Sequence, residues 1–208
     1  AGQAVAGYPL IVASPGVKPL SSPLYRAAMR RVEAGEAELI SELEFGYRAL
    51  PAPRRLLAVT GTNGKTTVSN LLADTLEKAG HRVLINRAGS NVASGIATAL
   101  LKGCELAGRV KNYDMAVLEV DERSAPRIYP YVKPDYIIVT NLFRDSIMRN
   151  AHPGYIADIL TRSFPRTSKL ILNADDLISG SVAPENPRVY FGIDRLPTDV
   201  TECENLLN

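Results

Sequence analysis

Only two cysteines, Cys104 and Cys203, occur in the 208-residue sequence, far apart and in no C-x-x-C pair. This argues against a disulfide framework and against a complete zinc site. Reduced thiols are expected, one half-buried and one near a terminus. Charge of one sign is also missing. Against 24 Lys and Arg stand 22 Asp and Glu, a net charge of +2, with no basic run and no interleaving of aromatic and basic residues. Such a balance gives no electrostatic case for nucleic acid or an anionic membrane surface. No apolar run approaches the ~18 residues that a bilayer span requires. The opening Ala1-Gly2-Gln3-Ala4 lacks an initiator Met and the basic-then-apolar order of a secretory signal. A cytoplasmic location is the expectation, and the two ends of the chain read as those of a piece of a longer protein.

What is present is the makeup of a globular α/β protein, with 46% hydrophobic and 22% charged residues. Short apolar runs alternate with helix-period segments, the pattern of βαβ units and a mostly parallel sheet. The runs predict strands at Leu10–Ala13, Leu56–Thr60, Arg82–Asn86, Met115–Val120, Tyr136–Thr140, Lys169–Asn173 and Arg188–Phe191. After Thr60, Val68, Leu71, Leu72, Thr75, Leu76 and Ala79 recur at helical spacing, with Gly80 as the stop. Further helices are expected from about Asn91 to Leu101, with Gly103 behind it, and from Tyr155 to Phe164, stopping before Pro165. Residues 1–50 form a separate, partial unit: a strand, a Ser14-Pro15-Gly16 turn, a helix from Pro23 to Arg31 and an amphipathic stretch from Glu38 to Leu50. Pro51-Ala52-Pro53 then makes a semi-rigid hinge into a main domain of residues 51–208.

The decisive segment is Ala58-Val59-Thr60-Gly61-Thr62-Asn63-Gly64-Lys65-Thr66-Thr67. A strand ends, a glycine-rich turn follows, and a helix begins at the lysine. Gly61 and Gly64 let backbone N–H groups approach phosphate oxygens, and the helix start adds the positive end of its dipole. Lys65 would neutralise β- and γ-phosphate charge, and the Thr66 hydroxyl would ligate Mg²⁺. A solvated glycine turn is the bland alternative, and it leaves this combination unexplained. The spacing Gly61-x-x-Gly64-Lys65-Thr66 is tighter than the general phosphate loop. The octet from Thr60 to Thr67 resembles that of the Mur ligase family, which includes muramyl-peptide ligases and folylpolyglutamate synthetases.

Later segments narrow the resemblance: Asn86-Arg87-Ala88-Gly89-Ser90-Asn91, Gly95-Ile96, Leu118-Glu119-Val120-Asp121-Glu122-Arg123-Ser124, Lys133-Pro134-Asp135, Thr140-Asn141-Leu142-Phe143-Arg144-Asp145, and Leu172-Asn173-Ala174-Asp175-Asp176. From about residue 55 onward they are similar to the MurT-type subunits of lipid II isoglutaminyl synthases. That resemblance implies ATP-driven activation of the D-glutamate α-carboxylate of the lipid II stem peptide. It also implies a class I glutamine amidotransferase partner that supplies ammonia, and contact with the inner membrane face through lipid II. Residues 8–50, with Leu10 to Gly16, Pro23-Leu24 and Ser41 to Phe45, instead resemble the first domain of D-glutamate-adding ligases. The implied fold is a three-layer α/β phosphate-loop domain behind a partial smaller α/β unit.

The resemblance also assigns roles. Gly61, Thr62, Asn63, Gly64, Lys65, Thr66 and Thr67 would hold ATP, and Glu119, ending a strand at the sheet's ligand edge, would join Thr66 on Mg²⁺. Lys65 and Glu119 are the catalytic candidates. Asn141 and Arg144 follow another strand end and would hold nucleotide or metal, although Arg144 and Asp145 also read as a surface ion pair. Asn173 and Asp176 either reach the adenine or form a turn. Asn91 lies on the substrate-side loop. Asp121 and Glu122 fit metal or substrate groups and an exposed loop equally well. His81 and His152 carry no role. Tyr129 and Tyr131 read as packing groups.

Two departures mark the chain. Many Mur ligases have Asp-His where Asp145-Ser146 stands, and a carbamoylated lysine on the next helix, where Ile156 to Phe164 contains no lysine. Both fit a MurT-type subunit better than an amino-acid-adding ligase. The four-cysteine zinc ribbon and C-terminal domain of those subunits have no counterpart in these 208 residues, so a Zn²⁺ site is not expected in this chain and has room only in a parent protein. Weak ATP binding without turnover is expected of the chain alone. A D-glutamate-adding ligase and a non-catalytic nucleotide module are the rival readings.

Overall fold

A computed structural model describes residues 2–14, 16–19, 21–50, 55–87, 90–104, 113–142 and 153–193. The hinge expected at Pro51-Ala52-Pro53 lies outside them. A short helix α1 (Gly2–Val5) precedes a small βαβ unit. In it, β1 (Leu10–Ala13) pairs in parallel with β2 (Glu38–Ser41), and α2 (Pro23–Glu33) is the crossover. Ser22 starts α2 by accepting from the Tyr25 N–H at 3.2 Å, with Pro23 in the first turn, and the helix buries Ala27 and Ala28.

The stretch from Glu38 to Leu50, expected as one amphipathic element, divides into β2 and α3 (Glu42–Arg48). Ser41 makes the break: it closes the strand, and its side chain then accepts from the Glu44 N–H at 3.1 Å as the N-cap of α3.

Among the described residues the main sheet has six strands, β3 (Arg55–Thr60), β4 (Val83–Ile85), β5 (Met115–Glu119), β6 (Tyr136–Val139), β7 (Lys169–Asn173) and β8 (Arg188–Phe191). Their order is β4-β5-β3-β6-β7-β8, with every pairing parallel. All seven strands expected from the sequence are present, four of them one or two residues shorter or longer. Alternation along each strand divides the core between two faces. Leu56, Ala58, Leu84, Ala116, Leu118, Ile137, Val139, Leu170 and Leu172 face one side, with α5 (Ala93–Gly103), α6 (Ala125–Ile128), α7 (Pro153–Ser163) and Leu43 of α3. Leu57, Val59, Val83, Val117 and Ile138 face the other, covered by Val68, Leu72, Ala73 and Leu76 of α4 (Lys65–Lys78).

Helix α5 starts two residues later than expected and includes Gly103. A Cβ there would stand 2.8 Å from both Leu50 and Leu84 methyl carbons, so the glycine serves a close approach. The short helices α6 and α8 (Leu177–Ser181) had no periodic signal to announce them. Packing also ties α3 to the main domain, because Leu43 and Leu50 share its core.

The chain leaves β3 for the far edge at β4, returns to β5 and then crosses to β6 on the other flank of β3. The direction of winding reverses around β3, and the carboxyl ends of β5, β3 and β6 frame the crevice where open sheets of this kind bind ligands.

Two stability predictions follow from this packing. A Cβ at Gly46 would lie 2.9 Å from Leu100 Cβ, where α3 meets α5, so Gly46→Ala should lower unfolding free energy by about 1–3 kcal/mol in a denaturant titration. Asp176 is buried; it accepts from the Leu142 N–H at 2.6 Å and from the Ile178 N–H at 3.0 Å as N-cap of α8. Asp176→Ala should cost roughly 1–3 kcal/mol by the same measurement, and Asp176→Asn less, because one acceptor survives.

Candidate functional site

The glycine-rich turn spans the gap between β3 and α4. Gly61 has φ of 129°, and a Cβ on it would fall 2.2 Å from Thr140 Oγ1 and 2.8 Å from the Asn141 carbonyl. Only glycine permits this backbone angle and this approach. Gly64, at φ 79°, is the N-cap of α4 and offers no side chain to its first N–H groups. The first turn of α4 holds no acidic residue. These N–H groups and the dipole therefore present positive potential at the turn.

Residues at the end of β6 brace the turn from behind. The Thr62 N–H donates to the Asn141 carbonyl at 2.8 Å, and the Asn63 N–H to Asn141 Oδ1 at 3.1 Å. Thr140 Oγ1 donates to the Asn63 carbonyl at 2.7 Å. With its conformation fixed, the turn needs little reordering to meet an anion.

Two carboxylates from the end of β5 and just past it reach this turn. Glu119, 5% exposed, accepts from Thr66 Oγ1 at 2.9 Å and from Asn91 Nδ2 at 3.2 Å. Its backbone is clamped by Asn86, whose Oδ1 accepts from the Glu119 N–H at 2.8 Å while Nδ2 donates to the Glu119 carbonyl at 2.9 Å. Three residues on, Glu122 accepts from Lys65 Nζ at 3.0 Å, and the two side chains are only 8% and 12% exposed. Lys65 Nζ also donates to the Gly61 carbonyl. Burial raises the Glu122 pKa above the ordinary glutamate value, and the Lys65 charge opposes that rise.

The structure thus gathers Gly61, Thr62, Asn63, Gly64, Lys65, Thr66, Glu119, Asn91 and Asn141 in one place, with Thr67 exposed on the first turn of α4. Asn141 faces the turn and serves as its brace. Asn91, expected on the substrate side, orients the Glu119 carboxylate, and its carbonyl accepts from the Asp121 N–H at 2.8 Å. Asn173 turns inward: its amide donates to the Thr140 carbonyl at 2.8 Å and its Oδ1 accepts from the Asp175 N–H at 2.9 Å, tying β7 to the end of β6. Asp176 is the buried clamp described above. Asp121 Oδ2 accepts from the Ser124 N–H and hydroxyl at 3.1 and 3.2 Å, closing the turn before α6. Arg144, Asp145, His152 and Cys203 lie outside the described residues.

Two contributors, Asn86 and Thr140, had no role assigned from the sequence, whereas Glu122, open there between a metal or substrate group and an exposed loop, proves to be the buried partner of Lys65. Asn86 and Thr140 each follow a strand at the same sheet edge as Glu119, and this shared position was the available signal. Between the end of β4 and helix α5 opens a cleft of about 360 Å³, lined by Asn86, Arg87, Ser90, Ser94, Thr98 and Lys102 among others.

Known proteins of one family are similar to this chain in sequence and in fold. The family profile described as the Mur ligase middle domain matches residues 59–196. The MurT subunit of the glutamine-hydrolysing lipid II isoglutaminyl synthase of Streptococcus pneumoniae is 38% identical over 143 residues, 67% of this chain and 31% of that protein. A UDP-N-acetylmuramoylalanine–D-glutamate ligase of Methylobacillus flagellatus is 31% identical over 186 residues, 89% of this chain and 37% of that one. The chain therefore spans about a third of the length of these curated relatives. Among solved structures, a pseudomurein peptide ligase type C from Methanothermus fervidus superposes with a TM-score of 0.56 at 24% identity, covering 90% of this chain and 36% of that one. MurF from Acinetobacter baumannii gives 0.58 at 16% identity, covering 88% of this chain and 45% of that one; both show the shared fold. The profile match, the relatives and the braced turn carry one conclusion: this chain belongs to the Mur ligase family, whose middle domain it contains.

Proposed function

We propose that the chain is the ATP-binding core of an amide ligase of peptidoglycan synthesis, of the MurT kind. In that reaction the α-carboxylate of D-glutamate in the lipid II stem peptide becomes an acyl phosphate. Ammonia released from glutamine by a class I amidotransferase partner then displaces phosphate to give the amide. The work would be done at the cytoplasmic face of the membrane, where the lipid substrate is presented. The observation that carries the reading is the convergence on one turn of Lys65, an uncapped helix start, and the Thr66–Glu119 contact.

The roles follow from charge and position. The substrate carboxylate attacks the γ-phosphorus in line, and ADP leaves with the bridging electron pair. Such catalysis is chiefly positioning and charge neutralisation. N–H groups of the turn and the Lys65 ammonium face the phosphates. The Thr66 hydroxyl and the Glu119 carboxylate, 2.9 Å apart, fit a magnesium ion, which takes one or two protein oxygens beside phosphate and water. That ion, when bound, supplies neutralisation of phosphate charge. Asn91 and Asn86 keep the Glu119 carboxylate aimed at the turn. We assign residues 1–50 to a partial first unit and residues 51–208 to the nucleotide-binding domain.

A second reading, a D-glutamate-adding ligase, draws support from relatives of that name that align over 186 residues, including more of the chain than the 143 aligned with the pneumococcal MurT subunit. The acceptor then is D-glutamate in place of ammonia.

Two measurements test these assignments. Lys65→Ala should weaken ATP binding to the 208-residue chain on the order of a hundredfold, followed by anisotropy of a fluorescent ATP analogue, because a buried cation facing the phosphates is lost. Equal binding by the variant would remove the basis of the proposal. The full-length protein with its amidotransferase partner should consume ATP with lipid II and glutamine, and should not do so with UDP-muramoyl-alanine and D-glutamate. The reverse pattern would select the second reading.

A further inference from the structure

Lys65 is already engaged by an anion of its own chain. Its ammonium meets Glu122 at 3.0 Å, with both side chains nearly out of solvent, and a second donor is taken by the Gly61 carbonyl. Glu122 stands past the end of β5, on the same sheet edge as the carboxylate that faces Thr66, and it comes from a different residue than the one fitted for magnesium. A carboxylate held this close to the loop lysine cancels much of the charge that the turn presents to a polyphosphate. Screening is weak there, because neither group faces bulk water.

We propose that Glu122 is an internal competitor of the nucleotide for Lys65, one that lowers affinity for the terminal phosphates and so sets how fast the diphosphate product leaves. This rests on the nucleotide-binding reading above and deepens it. Two anions share one ammonium, so the affinity gained by phosphate is reduced by the ion pair it must weaken. The opposing field acts on the phosphates nearest Lys65, which makes the effect specific to the β- and γ-groups. A carboxylate that merely propped the lysine in place would behave differently, since an uncharged isostere would keep or lose affinity and would never gain it.

The experiment compares the wild-type chain with Glu122→Gln and Lys65→Ala, each checked for an unchanged far-ultraviolet circular dichroism spectrum, using ATP, ADP and AMP at fixed ionic strength. Glu122→Gln should bind ATP roughly tenfold more tightly, ADP somewhat more tightly and AMP with no change, and ADP should dissociate correspondingly more slowly in stopped-flow displacement. Glu122→Ala should shift ATP affinity in the same direction, which covers a fold defect peculiar to the amide. Equal or weaker ATP binding by both Glu122 variants overturns the inference and makes Glu122 a prop or a member of the nucleotide-holding set. If Lys65→Ala leaves ATP binding unchanged, or no protein in the series binds ATP, the phosphate-loop reading itself fails and the inference with it.

Discussion

The site depends on one steric constraint, the approach of the Gly61 backbone to the end of β6. With 2.2 Å between an imagined Cβ and Thr140 Oγ1, the turn can sit against residues 140 and 141 only as glycine. Because it sits there, the Asn141 carbonyl and side chain can take the Thr62 and Asn63 N–H groups, and Thr140 can take the Asn63 carbonyl. The turn is then a rigid object, and α4 begins in a fixed direction with its first N–H groups exposed. Lys65 and Thr66 inherit their positions from that start.

The opposite wall is organised by burial of charge. A carboxylate as enclosed as Glu119 must find donors, since an unpaired buried charge is costly. Thr66 and Asn91 provide them, and Asn86 fixes the backbone from which the carboxylate projects. This chain of dependence runs from the end of β4 through β5 to the first turn of α4. Two carboxylates three residues apart therefore meet two neighbouring residues of one helix, Glu119 with Thr66 and Glu122 with Lys65.

Much of this was legible in the sequence because the signals were local. The seven expected strands announced themselves as short apolar runs, α4 by its helical spacing and the glycine-rich turn by Gly61 and Gly64. The break between β2 and α3 was missed, although Ser41 and Glu44 carried the capping signal, because the apolar pattern of residues 38–50 runs through it. The roles of Asn173 and Asp176 were open between ligand and turn. Their partners, Thr140 and Leu142, lie more than 30 residues away, and no local pattern reveals which strand will be a neighbour. Glu122 was equally open: a loop acid and a buried counter-ion look alike until the sheet order places Lys65 beside it.

The distance along the chain between the turn and its brace has a kinetic consequence. Thr62 and Asn141 are 79 residues apart, and β3 gains its two flanking strands only after β5 and β6 have been made. Pairings this remote close late, after the loop entropy of the intervening chain has been lost. During synthesis the octet therefore emerges as a pliable, glycine-rich tether, and it acquires its braced shape only when the residues around 60 and 140 meet.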